Sequence, residues 1–138
     1  MNERTIRTLI LTQADILAAG CFDIGMAIDT AREAVLGYAA GRVLYPDKVS
    51  QIFDESTQCR TNCLPATLFD EQVSGMKWVS VFPTNCSLHG LQNLSAVILL
   101  SSTQTGFPLV FMEGTLISNM RTAAVSALGA SKLARKDS

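Results

Sequence analysis

A chain of 138 residues, 48% apolar and 17% charged, fits one domain with a real core and leaves no tract for disorder. Its net charge of −1 excludes the broad cationic field that a nucleic-acid partner would require. No apolar run reaches the ~18 residues of a membrane span and no secretory pattern opens the chain, so no membrane partner is expected and the cytoplasm is the expected compartment.

Thr12 opens a short helix, TQADILAAG, with Asp15 supporting the first turn and Gly20 closing it. Asp23 caps a second helix that runs to about Ala40, with Ile24, Ile28, Ala31, Val35 and Tyr38 at helical spacing on one face. Gly41 stops it. Both helices read as structural. From Arg42 to Asp54 the chain is extended but interrupted by Pro46, the mark of an edge or bent strand.

Cys59 to Leu64 reads as a strand that Pro65 ends, and Phe69 to Gln72 as a turn. Val73 to Phe82 is the next strand, with Lys77 on the parity of Val73, Val79 and Val81. A lysine among valines snorkels or faces a cavity. Pro83 to Asn93 reads as a loop. Ser95–Ser102 and Phe107–Met112 form a hairpin around Thr103–Gly106. Both strands are nearly continuously apolar, so both of their faces should be covered. Thr115 then caps a helix of about twenty residues with Ile117, Met120, Ala124, Leu128 and Ala130 inward and Ser118 and Arg121 at the margin of that stripe. The helical pattern reaches Arg135 and Lys136, and no capping glycine follows.

Four cysteines, Cys21, Cys59, Cys63 and Cys86, read as reduced thiols, since a chain of this size and apolarity needs no disulfide staples. Cys59 and Cys63 with Cys86 and His89 have the residue types of a zinc site. Strand placement of the first pair and the missing knuckle around the second favour no metal. One histidine and no nucleophile elbow exclude a Ser-His-Asp arrangement. No G-x-G-x-x-G or Walker pattern occurs, so no nucleotide-binding loop is visible and no cofactor-binding residue can be named.

What remains is a set of cations, Lys48, Arg60, Lys77 and Arg121. Charges placed inside core-forming elements are expensive unless something anionic meets them. An arginine fork beside an ammonium suits a carboxylate or phosphate ligand. A buried ion pair of Arg121 with Glu113 is the competing reading. Lys48, just after Pro46, reads on pattern alone as a solvated edge lysine.

Several pieces occur in an order that resembles the N-terminal half of the ornithine cyclodeaminase/mu-crystallin family. They are Asn62-Cys63-Leu64-Pro65-Ala66, Gly75-Met76-Lys77-Trp78-Val79-Ser80, Phe82-Pro83-x-Asn85, Leu94 to Leu100, Thr105-Gly106-x-Pro108 and Met112 to Ser118 with Arg121-Thr122-Ala123-Ala124. The resemblance implies an NAD(P)-dependent enzyme of amino or imino acids, such as an ornithine cyclodeaminase, alanine dehydrogenase or ketimine reductase. It implies a substrate-binding and dimerisation half followed by a Rossmann domain. Lys77 and Arg121 match the family's substrate-carboxylate contacts. Lys48 falls where many members carry an arginine pointing at the substrate. Asn62 stands where some ornithine cyclodeaminases have a glutamate proposed in proton transfer.

The expectation is therefore an α+β fold, with N-terminal helices on a mixed or antiparallel sheet and a long C-terminal helix. Residues 1–138 would be one substrate-binding and dimerisation domain, truncated before the NAD-binding domain. Its ligand would be a small amino or imino acid and its partner a second copy. The family's catalytic aspartate lies in the later part, so no catalytic residue is assigned here. No cofactor is expected on the fragment, which would be inactive alone. A non-catalytic module of the mu-crystallin type is the alternative.

Overall fold

Apolar strands that alternate with turns produce a seven-stranded sheet here, and the computed structural model describes it for residues 7–135. In chain order the elements are β1 (Leu9–Leu11), α1 (Gln13–Ala18), α2 (Ile24–Ala39), β2 (Val43–Leu44), β3 (Val49–Asp54), β4 (Cys59–Leu68), β5 (Val73–Val81), α3 (Asn85–His89), β6 (Leu94–Ser102), β7 (Pro108–Glu113) and α4 (Thr115–Leu133). The sheet order is β1-β7-β6-β5-β4-β2, with β3 also paired to β4. β1 runs parallel to β7 and every other pairing is antiparallel, so the fold is α+β on a mixed sheet. No helix among the described residues is long and apolar enough to cross a membrane.

The helices begin and end where the local chemistry directs. Thr12 and Asp15 form a reciprocal capping box at α1, and the hydrogen bonds from Thr12 pull the Asp15 carboxyl below its ordinary value. The Asp23 carboxylate accepts from the Met26 N–H at 2.9 Å and starts α2. Gly41, at φ +71°, turns the chain out of α2 into β2.

Four local expectations need correction. Pro65 does not end its strand, which continues to Leu68. On the side away from β5, the neighbour is broken between β2 and β3 at residues 45–48, so a missing N–H there forfeits no ladder bond. The segment from Pro83 to Asn93 holds a single helical turn, α3, closed by Gly90 in the left-handed region. Thr115 is not the cap of α4. Gly114 takes that position, and the Glu113 carboxylate accepts from the N–H groups of Thr115 and Leu116 at 2.5 and 3.2 Å. Finally, the three residues of β1 complete one margin of the sheet, where no strand was expected. The predicted helical residue Lys136 lies outside the described residues; α4 itself ends at Leu133.

Register sorts the sheet into two faces. Leu64, Lys77, Ile98 and Met112 are successive cross-strand partners and lie on the side that carries the helices. Val79, Ala96 and Val110 share that side and are buried, and Ala124 of α4 is completely covered. The opposite face is open. Met76, Trp78 and Phe111 there are 36%, 40% and 42% exposed, and Ile10 is 75% exposed. The apolar pattern of β6 and β7 asked for cover on both sides, and the chain itself supplies it on one.

Gly75, opposite Leu100, is a point of close approach. A Cβ there would stand 2.4 Å from the Leu99 carbonyl oxygen and 2.6 Å from Leu100 Cδ2. Gly75→Ala should therefore cost about 1–3 kcal/mol of stability through overpacking. Urea unfolding should show a lower midpoint at unchanged slope, and an unaltered midpoint would mean that β5 and β6 part freely.

Candidate functional site

Lys77 stands in the middle of β5, on the helix-bearing face, and is half-buried. Its Nζ donates a 2.9 Å hydrogen bond to Ser118 Oγ on α4. Ser118 is only 4% exposed, so the ammonium is held beneath the helix. Burial, and secondarily the charge of Arg121, push the Lys77 pKa below its ordinary value of 10.5. Lys77 and Arg121 are thus within electrostatic reach of each other. Among the described residues the salt bridges are Arg32 with Asp29 and Arg42 with Asp70, and neither involves them.

The ion pair between Arg121 and Glu113 is not formed. Glu113 instead faces the first N–H groups of α4, where a carboxylate also meets the helix dipole. Arg121 is exposed and lies three residues beyond Ser118 on the same helix. It lines an apolar cleft of about 900 Å³ bounded by α1, α2, α4 and the β2–β4 side of the sheet, and it is the one charged residue of that lining. Cys21 also lines the cleft, and burial, then the Glu113 charge, push its thiol pKa up.

Asn62 sits in β4 on the same face as Lys77, is 7% exposed, and its Oδ1 accepts a 2.8 Å hydrogen bond from Ser50 Oγ. Lys48 is exposed and precedes β3 by one residue, with no contact drawing it to Lys77. Arg60 turns to the Gln58 carbonyl oxygen at 2.8 Å. The structure thus gathers Lys77, Arg121 and Asn62 on one side of the sheet and leaves Lys48 at its margin. Ser50 and Ser118 belong to the group as well. Ser118 was visible beside Arg121 in the helical pattern; Ser50 becomes visible only through strand register.

No three His, Cys, Asp or Glu residues among those described come together as metal ligands. Cys63 Sγ lies 3.5 Å from Met76 Sδ on the open face. The start of α4 does not offer a dinucleotide phosphate free helix N–H groups either. The one long helix that starts directly after a strand already carries the Glu113 carboxylate where a phosphate would need to lie.

The sequence signature of the ornithine cyclodeaminase/mu-crystallin family matches residues 7–138. An alanine dehydrogenase of Archaeoglobus fulgidus is 35% identical over 133 residues, which are 96% of this chain and 39% of that protein. The Thermococcus litoralis Δ1-pyrroline-2-carboxylate reductase, solved with NADH and L-proline, matches at a TM-score of 0.86 and 33% identity, over 95% of this chain and 39% of that one. An archaeal alanine dehydrogenase dimer with bound NAD matches at a TM-score of 0.83 and 35% identity, over 95% of this chain and 38% of that one. The chain spans about two-fifths of the length of these relatives. With its signature matched across almost every residue, the chain belongs to the ornithine cyclodeaminase/mu-crystallin family.

Proposed function

We propose that this chain is the substrate-binding and dimerisation domain of an NAD(P)-dependent cytoplasmic enzyme that acts on a small amino or imino acid. The observation that carries the reading is Lys77: an ammonium half-buried in a sheet, hydrogen-bonded to a serine and within electrostatic reach of a second cation, with no carboxylate partner among the described residues. Such a group is satisfied by an anionic ligand. Lys77 supplies a point charge and Arg121 a planar fork, which together orient a carboxylate. The acid–base residue and the berth of the nicotinamide belong to the part of the protein beyond these residues. That cofactor would supply the hydride chemistry. Family membership and the NAD- and NADH-bound relatives support this assignment.

The open face of the sheet supports dimerisation. Val49, Cys63 and Trp78 form one cross-strand row, and Pro65, Met76, Leu99 and Phe111 the next. A twofold partner laid on these rows would cover what the helices do not. The similar archaeal alanine dehydrogenase is a dimer. Light scattering at micromolar concentration should give twice the protomer mass, and Trp78→Glu should halve it. A monomeric parent protein would overturn the dimer.

Two further outcomes test the clamp. In the protein that carries this chain, Lys77→Ala should weaken amino-acid binding about ten- to hundredfold, as loss of one charge-assisted hydrogen bond does, while leaving NADH affinity unchanged. Arg121→Lys should also weaken it, because an ammonium cannot reproduce the fork. Calorimetry with L-alanine or L-proline reads both. Unchanged affinity in the Lys77 variant would overturn the assignment, and binding without turnover in the parent protein would favour the non-catalytic module.

The pH dependence follows from the lowered Lys77 pKa. Between that value and 10.5 the unfolded chain binds more protons at this site than the folded one, so the site's contribution makes stability rise with pH across that window and stay flat below it. Carboxylate binding should behave oppositely. It needs the ammonium, so affinity should fall as pH climbs through the lowered pKa, and Lys77→Ala should lose that slope.

A further inference from the structure

Lys77 has the surroundings of an amine nucleophile as well as those of an electrostatic anchor. Its direct cross-strand neighbours are Leu64 and Ile98, both partly buried, so apolar side chains flank it on either side. Its Nζ donates to a neutral hydroxyl, Ser118 Oγ at 2.9 Å, and not to an anion. No Asp or Glu occurs anywhere in β4, β5, β6 or α4, and Glu113 is engaged by the start of α4. The charged or titratable groups on β4 and α4 are Cys59, Arg60, Cys63, Arg121 and Lys132, and β6 has none. Cys59 and Cys63 have the parity of the open face, and Arg60 turns to the Gln58 carbonyl. Lys132 lies near the far end of α4. Arg121 acts on Lys77 directly, and both its charge and burial favour the neutral amine. A desolvated lysine beside a second cation is a setting in which an amine attacks a carbonyl carbon.

The ligand that suits both groups carries a carbonyl next to a carboxylate. Arg121 lies three residues beyond Ser118 on α4, and its planar fork can take the carboxylate. The adjacent keto carbon is then one bond from an anchored group and open to the amine. Ser118 Oγ accepts from Nζ and can hand a proton onward, because a hydroxyl both donates and accepts.

We propose that Lys77 condenses with a 2-oxo acid whose carboxylate is held by Arg121, forming an imine on Nζ. The inference rests on the proposed carboxylate clamp and adds a covalent step to it. The nitrogen lone pair forms a bond to the keto carbon while the C=O π pair moves onto oxygen. One proton passes from nitrogen to that oxygen through the Ser118 hydroxyl, giving a carbinolamine. The C–O bond then breaks, the second nitrogen proton leaves with the oxygen as water, and the C=N bond closes. No oxidant or reductant is consumed, and water returns the free lysine.

Sodium cyanoborohydride reduces such an imine in place, so the adduct can be trapped and mapped. The intact protein that carries this chain is incubated with pyruvate and the reductant, without NADH, then digested for mass spectrometry. The Lys77 peptide should carry an N-(1-carboxyethyl) group about tenfold or more above the exposed Lys48 and Lys132, because an anchored carbonyl reacts at high effective concentration. Excess L-alanine should protect Lys77. Acetone, a ketone without a carboxylate, should show no preference for it. The yield at Lys77 should rise with pH, opposite in sign to the binding of L-alanine, and Ser118→Ala should lower it. Lys77 labelled no faster than Lys48, in a protein that binds L-alanine by calorimetry, would overturn the imine and leave the clamp standing. Acetone labelling Lys77 as readily as pyruvate would overturn the anchored arrangement. If L-alanine does not bind and pyruvate does not label Lys77, the clamp fails and the imine with it.

Discussion

Everything about the site depends on how the start of α4 is fastened to β6. The Gly114 N–H donates to the Ala96 carbonyl at 2.9 Å, and the Ala96 N–H donates to Thr115 Oγ1 at 3.0 Å. Gly114 is needed for that approach, since a Cβ would stand 3.1 Å from Ile98 Cγ1 and 3.2 Å from backbone carbons of Ala96 and Val97. Glu113 satisfies the next helix donors. Ile98 is two residues from Ala96 and directly opposite Lys77, so the same fastening sets Ser118 above the lysine one turn later. A strand cation and a helix cation come within electrostatic reach because one short joint fixes the helix at both backbone and side chain.

That joint also explains why the two like charges persist together. Neither has a structural counter-ion among the described residues, and the lysine is partly desolvated. Such an arrangement weakens the folded chain, and folds that carry uncompensated polar groups do so at functional sites. Rigid secondary structure suits the proposed task, since the groups proposed to orient a ligand are held by a helix and a central strand rather than by loops.

Much of this was legible in the residues. Thr12 and Asp23 announced their helices, Pro46 announced the break between β2 and β3, and the parity of Lys77 with Val79 placed it on the inner face. The pairing of Lys77 with Arg121 needed more than pattern, because it joins β5 to α4 across forty residues of chain. The competing ion pair of Arg121 with Glu113 is not formed, because the carboxylate has closer donors in the backbone just after it. Pro65 breaks a strand only where its N–H is wanted, and that depends on a neighbour that local sequence does not specify. α3 is a single turn without a side-chain cap, too little signal to separate from a loop.

The margins of the sheet have a consequence of their own. One is formed by the three residues of β1, the other by the two of β2 and the irregular β3, separated by the Pro46 segment. Short, interrupted borders offer a foreign strand little to pair with. The pleated surface around Trp78 is long, regular and apolar by comparison. Backbone augmentation is thereby refused while side-chain docking is left available. Growth from an edge, which could propagate without end, is thereby discouraged, and the twofold association proposed above would use a face and close after one partner.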